Sequence, residues 1–316
     1  ATTPDGQGQA STVSLTSAER IEVLTGPLAQ LYGNAAGGVI QIFSKEASQI
    51  PTAELQVHTG SYGLLRTDWQ FSQKSGNVGL MADYSTFHIK GYRAQSEAKR
   101  EQLNALMRID LSPQTHVKLI ANAFSMPFAK DPLGLTLAQW MADPKQAGNN
   151  AIVNDARKTV SQEQLGIVLV HQLNSETQFQ ARIYGGAREN LQYQASSPTG
   201  GSWVGLNRDF YGMGFQLKGK MHGLTSLPSD WVVGFDQDLS AELRQGGLAG
   251  NGVKKGALNR NEVNESQNRD FFAQANWRFS DQVTLITGAR RSNIQLESRD
   301  DYLSDGANGS GAVNYK

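Results

Sequence analysis

The chain has 316 residues, no cysteine, and 29 acidic and 29 basic side chains, so its formal net charge is +0. The absence of cysteine excludes structural disulfides and thiolate metal sites, and the neutral balance provides no electrostatic drive toward nucleic acid. No run reaches the roughly 18 consecutive apolar residues of a membrane-spanning helix, but strands of a membrane barrel face lipid only at every second side chain.

The first predicted elements are two short apolar strands, Ile21–Leu24 and Val39–Phe43. Between them, Pro27 suits the first position of a helical turn, because its fixed φ fits there and its missing N–H is not needed. Gly33 suits the position just past that turn, where φ is often positive. The local order is therefore strand, helical turn, glycine turn, strand.

This stretch resembles the end of the plug domain of TonB-dependent outer-membrane receptors, in which a pattern like ERIEVLRGP…LYG…GGVINI precedes a barrel. Thr25 stands where that family more often has arginine, and Gln41 where asparagine is common. The matching signature residues are Glu19, Arg20, Ile21, Glu22, Val23, Leu24, Gly26, Pro27, Leu31, Tyr32, Gly33, Gly37, Gly38, Val39 and Ile40.

The resemblance implies that residues 1–48 are the C-terminal part of a small α+β plug domain. Residues 49–316 would then be the N-terminal half of an all-β, transmembrane antiparallel β-barrel of about 22 strands. Ala1–Ser17 is polar and has no apolar core of a signal peptide. We therefore expect the start of an exported protein, with its coupling motif and first plug half, to lie outside this sequence.

Downstream of the plug signature, the apolar period becomes two, which is the period of a strand with one apolar and one polar face. In Asp270–Phe279, for example, Phe271, Ala273, Ala275 and Trp277 share one face. The pattern predicts about eleven barrel strands. They centre on Glu54–Thr59, Leu64–Gln73, Val78–Ile89, Arg100–Leu111, His116–Met126, Thr159–Leu173, Glu176–Arg188, Asp209–Met221, Trp231–Leu243, Arg269–Phe279 and Val283–Glu297.

The predicted connections alternate between short turns and long loops after the first hairpin. Short periplasmic turns and long external loops are typical of outer-membrane barrels. The predicted long loops are Gly91–Lys99, Pro127–Lys158, Glu189–Arg208 and Arg244–Asn268, and the stretch Asp305–Asn314 is also predicted to be a loop. A β-sandwich or solenoid is the alternative, and a complete small barrel of about 12 strands is another.

The resemblance also implies that plug charges pair with opposite charges on the inner barrel wall and hold the plug in place. Glu19, Arg20 and Glu22 are the candidates on the plug strand, and solvation of a surface strand is the simpler interpretation. Their wall partners are left open among four cationic side chains, which are Arg66, Arg108, Lys118 and Arg182.

Ligand recognition is expected in the long loops and on the outward plug surface. Aromatic side chains offer flat amphipathic contacts, and cations suit anionic metal chelates. The same residue types also form interfacial girdles and bind lipopolysaccharide. The candidate ligand-binding residues are Trp140, Arg157, Tyr193, Trp203, Arg208 and Arg244.

No catalytic residue, metal site or cofactor is predicted, because the five histidines are scattered and lack partners at ligand spacing. The resemblance implies a receptor of the bacterial outer membrane, surrounded by lipid and lipopolysaccharide, with a TonB-type energy-coupling protein on its periplasmic side. A ferric siderophore is the expected cargo, and cobalamin, another metal chelate or a glycan are alternatives. A passive porin and a barrel enzyme are the competing classes.

Overall fold

The structure, a computed structural model, describes residues 14–25, 31, 38–195, 200–223 and 227–315. Its first element is an antiparallel hairpin of β1 (Ala18–Leu24) and β2 (Val39–Ser44), which pair only with each other. Both strands form where the sequence predicts them, because each apolar run is too short for a helix and contains β-branched residues. The signature residues Gly26, Pro27, Tyr32, Gly33 and Gly37 lie outside the described residues.

The rest of the chain forms one antiparallel sheet of 12 strands, in which sequence neighbours are also spatial neighbours. This order is that of an up-and-down barrel wall. The strands are β3 (Thr52–Gly60), β4 (Leu64–Ser75), β5 (Val78–Ile89), β6 (Ala98–Ser112), β7 (Thr115–Lys130), β8 (Arg157–Gln172), β9 (Thr177–Gln194), β10 (Gly201–Met221), β11 (Ser229–Gly250), β12 (Val253–Arg278), β13 (Thr284–Asp300) and β14 (Gly311–Tyr315).

All eleven predicted barrel strands are present, and the sheet contains one more. Gly311–Tyr315, part of which was predicted to be a loop, pairs with Ile294–Ser298 of β13 as β14. The alternation rule missed it because five residues rich in Gly, Ala and Asn carry little apolar contrast. Backbone pairing with a neighbour requires no such contrast.

Two predicted external loops are also wrong, because the strands continue through them. β11 is 22 residues long and β12 is 26, and they meet at a tight turn of Asn251 and Gly252. Both turn residues have positive φ, 54° and 65°, which is the signature of a two-residue hairpin turn of the Asn-Gly type. The predicted loop Glu189–Arg208 is likewise mostly strand in β9 and β10.

In the described part of the chain, the helices with defined bounds are a single 3-10 turn, Ser61–Gly63, between β3 and β4, and two short α-helices within the β7–β8 connection. The α-helices are α1 (Leu137–Ala142) and α2 (Asn149–Val153). The Thr136 hydroxyl caps α1 by accepting a hydrogen bond from the Gln139 N–H. The Thr136 N–H in turn donates to the Gln139 side-chain oxygen, as in a capping box. Among these residues no helix has the length and apolar character needed to span a bilayer.

The two faces of the large sheet differ in chemistry. We call the face that contacts the β1–β2 hairpin the inner face; its buried members are largely polar, among them Asp68, Asp83 and Asp270. The opposite, outer face exposes large apolar side chains such as Trp69 and Phe271, 54% and 61% exposed. A polar interior and an apolar exterior on one alternating wall are the reverse of a soluble protein and suit a wall surrounded by lipid.

Candidate functional site

The segment that enters the β1–β2 hairpin is bound to the inner face of β4 and β5. Ser14 Oγ and Thr16 Oγ1 donate to Asp83 Oδ2 at 3.0 and 3.1 Å. Gln70 Nε2 donates to the Thr16 carbonyl oxygen at 3.1 Å. Asp83 is only 2% exposed, so these hydroxyls satisfy one oxygen of a carboxylate that burial penalises, while its Oδ1 has no hydrogen-bond partner among the described residues.

The segment that leaves the hairpin is bound to the same side of the wall. Lys45 Nζ donates to Gln70 Oε1 at 3.1 Å, and the Ser48 N–H donates to Ser72 Oγ at 2.7 Å. Both ends of the hairpin are therefore fixed to the wall. The inner face here is a docking surface for the segments that flank the hairpin.

Glu46 makes the ionic contact between this exit segment and the wall. Its Oε1 accepts from Lys118 Nζ at 2.5 Å and its Oε2 from Arg108 Nη1 at 3.1 Å. Arg108 also pairs with Asp110, which in turn accepts from Lys74. One carboxylate thus links the exit segment to two adjacent strands, β6 and β7.

The plug-strand residues predicted to pair with the wall, Glu19, Arg20 and Glu22, form no ion pair with it among the described residues. Arg20 pairs with Glu22 at 2.7 Å and lies over the Phe43 ring at 3.7 Å. Two of the candidate wall residues, Arg108 and Lys118, bind Glu46 instead. The other two, Arg66 and Arg182, pair with wall carboxylates, Asp68 and Asp236.

The Glu46 contact predicts a pH dependence of plug attachment. The hydrogen bond from Lys118, with help from the Arg108 charge, holds the pKa of Glu46 below its usual range. A depressed pKa contributes stability above the ordinary Glu pKa of about 4.3 and loses it as pH falls through the lowered value. We therefore expect protease access to the plug of the full-length protein to increase as the pH falls below the ordinary Glu pKa of about 4.3 and through the lowered value.

Glu46→Gln tests this pH dependence, because it should give increased protease access at neutral pH and remove the step on acidification. Glu163→Gln is the matched control, since Glu163 is exposed on the outer face of β8 and makes no ion pair among the described residues. A profile for Glu46→Gln that keeps the acid step would contradict this role.

On β9 to β11 the inner face carries long side chains that cross an intervening strand. Arg182 Nη2 donates to Asp236 Oδ1 at 2.7 Å, two strands away, and Tyr184 donates to Asp238 in the same manner. The residues opposite them on β10 are glycines, Gly214 and Gly212. The absence of a Cβ there lets the side chains lie flat on the wall.

A cluster of arginine side chains lies on the same inner face, closer to the Asn251-Gly252 turn than the Arg182–Asp236 pair. Arg208 on β10 pairs with Glu242 on β11, and their side chains are only 5% and 4% exposed. Arg188 on β9 stands directly opposite Arg208 in register, and Arg244 follows Glu242 by two residues on the same face. We call Arg188, Arg208, Glu242 and Arg244 the inner arginine group, which holds three cations and one carboxylate.

Three of the predicted ligand-binding residues come together elsewhere. Arg157, Tyr193 and Trp203 are register neighbours on β8, β9 and β10. Arg157 lies over the Tyr193 ring at 4.4 Å, and Lys254 lies over the Trp203 ring at 3.8 Å. Both rings are buried, at 7% and 5% exposure, so this cluster supports the extended hairpins and offers little ring surface to a ligand.

Trp140 stands apart from that cluster, on α1, and is 57% exposed. The loop that carries it is held by Arg93, whose guanidinium donates to the carbonyl oxygens of Leu133 at 2.7 Å and Gln146 at 2.8 Å. Three backbone acceptors, with Pro132 as the third, fix the loop entry and exit to the β5–β6 connection. Trp140 is therefore exposed on a loop that these hydrogen bonds hold in place.

Sequence reasoning missed Glu46, Arg93, Arg188 and the wall partners of the plug main chain. Arg188 had a readable signal, because it shares a predicted strand and face with Arg182. Glu46 and Arg93 had none, since each acts on residues distant in sequence. No group of three His, Asp or Glu side chains that could hold a metal ion occurs in the described ranges.

Comparisons with known proteins agree with this architecture. Residues 120–316 match the family model "TonB dependent receptor-like, beta-barrel". The ferrichrome outer membrane transporter and phage receptor of Escherichia coli K12 is 30% identical over 89 residues, a match covering 28% of this chain and 12% of that protein.

Solved structures show the same fold. The unliganded ferric citrate transporter FecA superposes with a TM-score of 0.82 at 15% identity, covering 96% of this chain and 47% of that one. The siderophore receptor PiuA of Acinetobacter baumannii gives 0.76 at 12% identity, covering 94% of this chain and 50% of that one. The chain thus spans about half the length of the solved structures it matches. With its antiparallel 12-stranded wall and the family match over its C-terminal two-thirds, it belongs to the TonB-dependent receptors, the β-barrel receptors of the bacterial outer membrane.

Proposed function

We propose that the full-length protein is an energy-coupled receptor that takes up a ferric siderophore across the outer membrane. Residues 1–48 act as the end of the plug and residues 49–316 as barrel wall. One observation carries this proposal: the β1–β2 hairpin is bound to the inner face at both ends, by Asp83 before β1 and by Glu46 after β2. A lumen with a docked plug suits gated uptake rather than free diffusion.

The inner arginine group supports an anionic cargo. The inner arginine group has three guanidinium groups and one carboxylate, and the Arg260–Glu262 pair lies beside it. Arginine binds carboxylate and other planar anions in bidentate fashion. The similar proteins are described as transporters or receptors of ferrichrome, ferric citrate and siderophores. We therefore place a cargo contact at Arg244, which is only partly buried, with Trp140 as an aromatic contact in the external loop. Arg208, in contrast, is buried in its pair with Glu242 and supports the wall.

Release of the plug requires work from a partner. We propose a TonB-type protein on the periplasmic side, where the short connections lie, with lipid and lipopolysaccharide around the outer face. The protein acts by binding and conformational change, with no catalytic step. Uptake of cobalamin, another metal chelate or a glycan would use the same machinery with other loop contacts.

Binding of a panel of chelates to the purified full-length protein tests the cargo. Tryptophan fluorescence should report saturable binding of at least one ferric chelate, whereas cobalamin and oligosaccharides should give no change. Growth on that chelate as iron source should require both this protein and the energy-coupling partner. Growth that persists without the partner would instead indicate a passive porin, and binding of cobalamin alone would overturn the siderophore assignment.

Arg244→Gln tests the contact residue, because Arg244 is only partly buried and is not a member of the buried Arg208–Glu242 pair. It should weaken binding of an anionic ferric chelate by about tenfold, the value of one charge-assisted hydrogen bond. Lys254→Gln is the control, because Lys254 lies over Trp203 in the supporting cluster and should leave affinity unchanged. Equal affinities of the two variants would remove Arg244 from the site.

A further inference from the structure

Arg290, on the inner face of β13, binds the main chain of the plug. Its Nη1 donates to the carbonyl oxygen of Leu31 at 2.9 Å, across 259 positions of sequence. Leu31 belongs to the connection between β1 and β2, whereas the contacts of Asp83 and Glu46 hold the two outer ends of that hairpin. The hairpin is thus held from β4 to β7 on one side and from β13 on the other, with β8 to β12 between them.

Arg290 is itself held in place by a buried carboxylate. Its Nη2 pairs with Asp270 of β12, which is 1% exposed and also accepts from Asn268. The guanidinium carbon lies 5.6 Å from the centre of the Phe272 ring. Asp270 and the ring fix the orientation of the guanidinium, so that one amino group remains directed at the plug.

A buried ion pair of this kind contributes little net stability, because the cost of removing two charges from water offsets their attraction. An apolar pair of the same volume would serve the wall equally well. The third partner, the Leu31 carbonyl oxygen, gives the ion pair a role, because the Asp270–Arg290 pair holds a cation in a fixed position against the plug main chain. The Nε of Arg290 and the Oδ1 of Asp270 have no hydrogen-bond partner among the described residues, so polar capacity remains at this contact.

We propose that Arg290, oriented by Asp270, is the positioning residue that keeps the plug connection seated against β12 and β13. The inference rests on the proposed function as a gated receptor. Thr25 occupies the place where the resembled family more often has a plug arginine. Here the cation is on the wall and its acceptor is a plug carbonyl, so no side-chain substitution at Leu31 removes the acceptor.

Permeability of cells that carry the full-length receptor tests this proposal without any ligand. Arg290→Gln should raise sensitivity to a large antibiotic that the closed barrel excludes, and Asp270→Asn should do so to a smaller extent. Loss of a charge-assisted hydrogen bond shifts an opening equilibrium by about tenfold or more. Arg291→Gln is the matched control, because Arg291 is the exposed neighbour on the outer face, and it should behave as wild type.

Heat-dependent mobility of the folded barrel in gels separates positioning from general destabilisation. Increased permeability in Arg290→Gln with wild-type heat resistance supports the proposal, and increased permeability accompanied by loss of heat resistance overturns it. If Arg290→Gln fails to assemble, Arg290→Lys is tested in its place, because lysine keeps the charge but cannot donate to Asp270 and the Leu31 carbonyl from two amino groups. Wild-type permeability of the Arg290→Lys variant would count against the proposal. Failure of chelate binding in the wild type would overturn the proposed cargo but leave this comparison readable.

Discussion

Glu242→Gln is expected to lower the free energy of unfolding of the full-length barrel by about 3–5 kcal/mol, the cost of removing one partner of a buried ion pair. The pair with Arg208 is buried on both sides, at 5% and 4% side-chain exposure. Arg188 stands opposite Arg208 in register, so the substitution removes a carboxylate from a place where two buried cations are adjacent. Like charges directly opposite each other destabilise a strand pair further.

Urea unfolding of the detergent-solubilised barrel, followed by tryptophan fluorescence, measures this loss. Glu265→Gln is the matched control, because Glu265 is exposed on the outer face of β12 and exposed substitutions usually change stability by less than about 0.5 kcal/mol. Replacing both Arg208 and Glu242 by leucine should restore most of the loss. An unfolding midpoint for Glu242→Gln equal to that of the control would show that the pair is dispensable.

Gly186→Ala is expected to be the most damaging single-methyl substitution on the wall, at about 3 kcal/mol or more. A Cβ at this position would fall on the carbonyl oxygen of Glu163 in β8 and lie 2.7 Å from Cζ of Phe210 in β10. The carbonyl belongs to a paired strand and cannot move away, and the Phe210 ring is itself buried at 8% exposure. The strands must therefore separate locally.

The same urea titration measures the effect, with Gly134→Ala as control. Nothing lies within 4 Å of a Cβ at Gly134, and its φ is not positive, so alanine there should be neutral or slightly stabilising through the unfolded chain. A Gly186→Ala barrel as stable as the Gly134→Ala barrel would mean that β8 to β10 pack less tightly than described.

Most strands of the hairpin and of the wall could be predicted from local sequence patterns. Period-two alternation identifies β3 to β13 because the membrane imposes opposite chemistry on the two faces of each strand. The plug signature predicts β1 and β2 and their order before the wall. The same rule fails beyond the membrane, where both faces of β11 and β12 are polar and the contrast disappears. There the Asn251-Gly252 turn was the available signal.

The site was less predictable than the fold because its contacts are long-range. Glu46 acts on β6 and β7, and Arg290 acts on a carbonyl 259 positions earlier, so neither contact leaves a local pattern. Tyr193 and Trp203 were predicted as ligand contacts from their residue type and from their place in the predicted loop Glu189–Arg208. The register of β9 and β10 places them against each other instead, which shows that aromatic identity does not distinguish a packed support from an open surface.

The conductance of the full-length protein in a planar bilayer tests the central claim most directly. A barrel whose plug is held by Asp83, Glu46 and Arg290 should insert without opening a steady pore. It should show a large conductance only when the plug is loosened, as by urea or by Arg290→Gln. A large constitutive conductance of the unmodified protein would contradict the account and make it a porin.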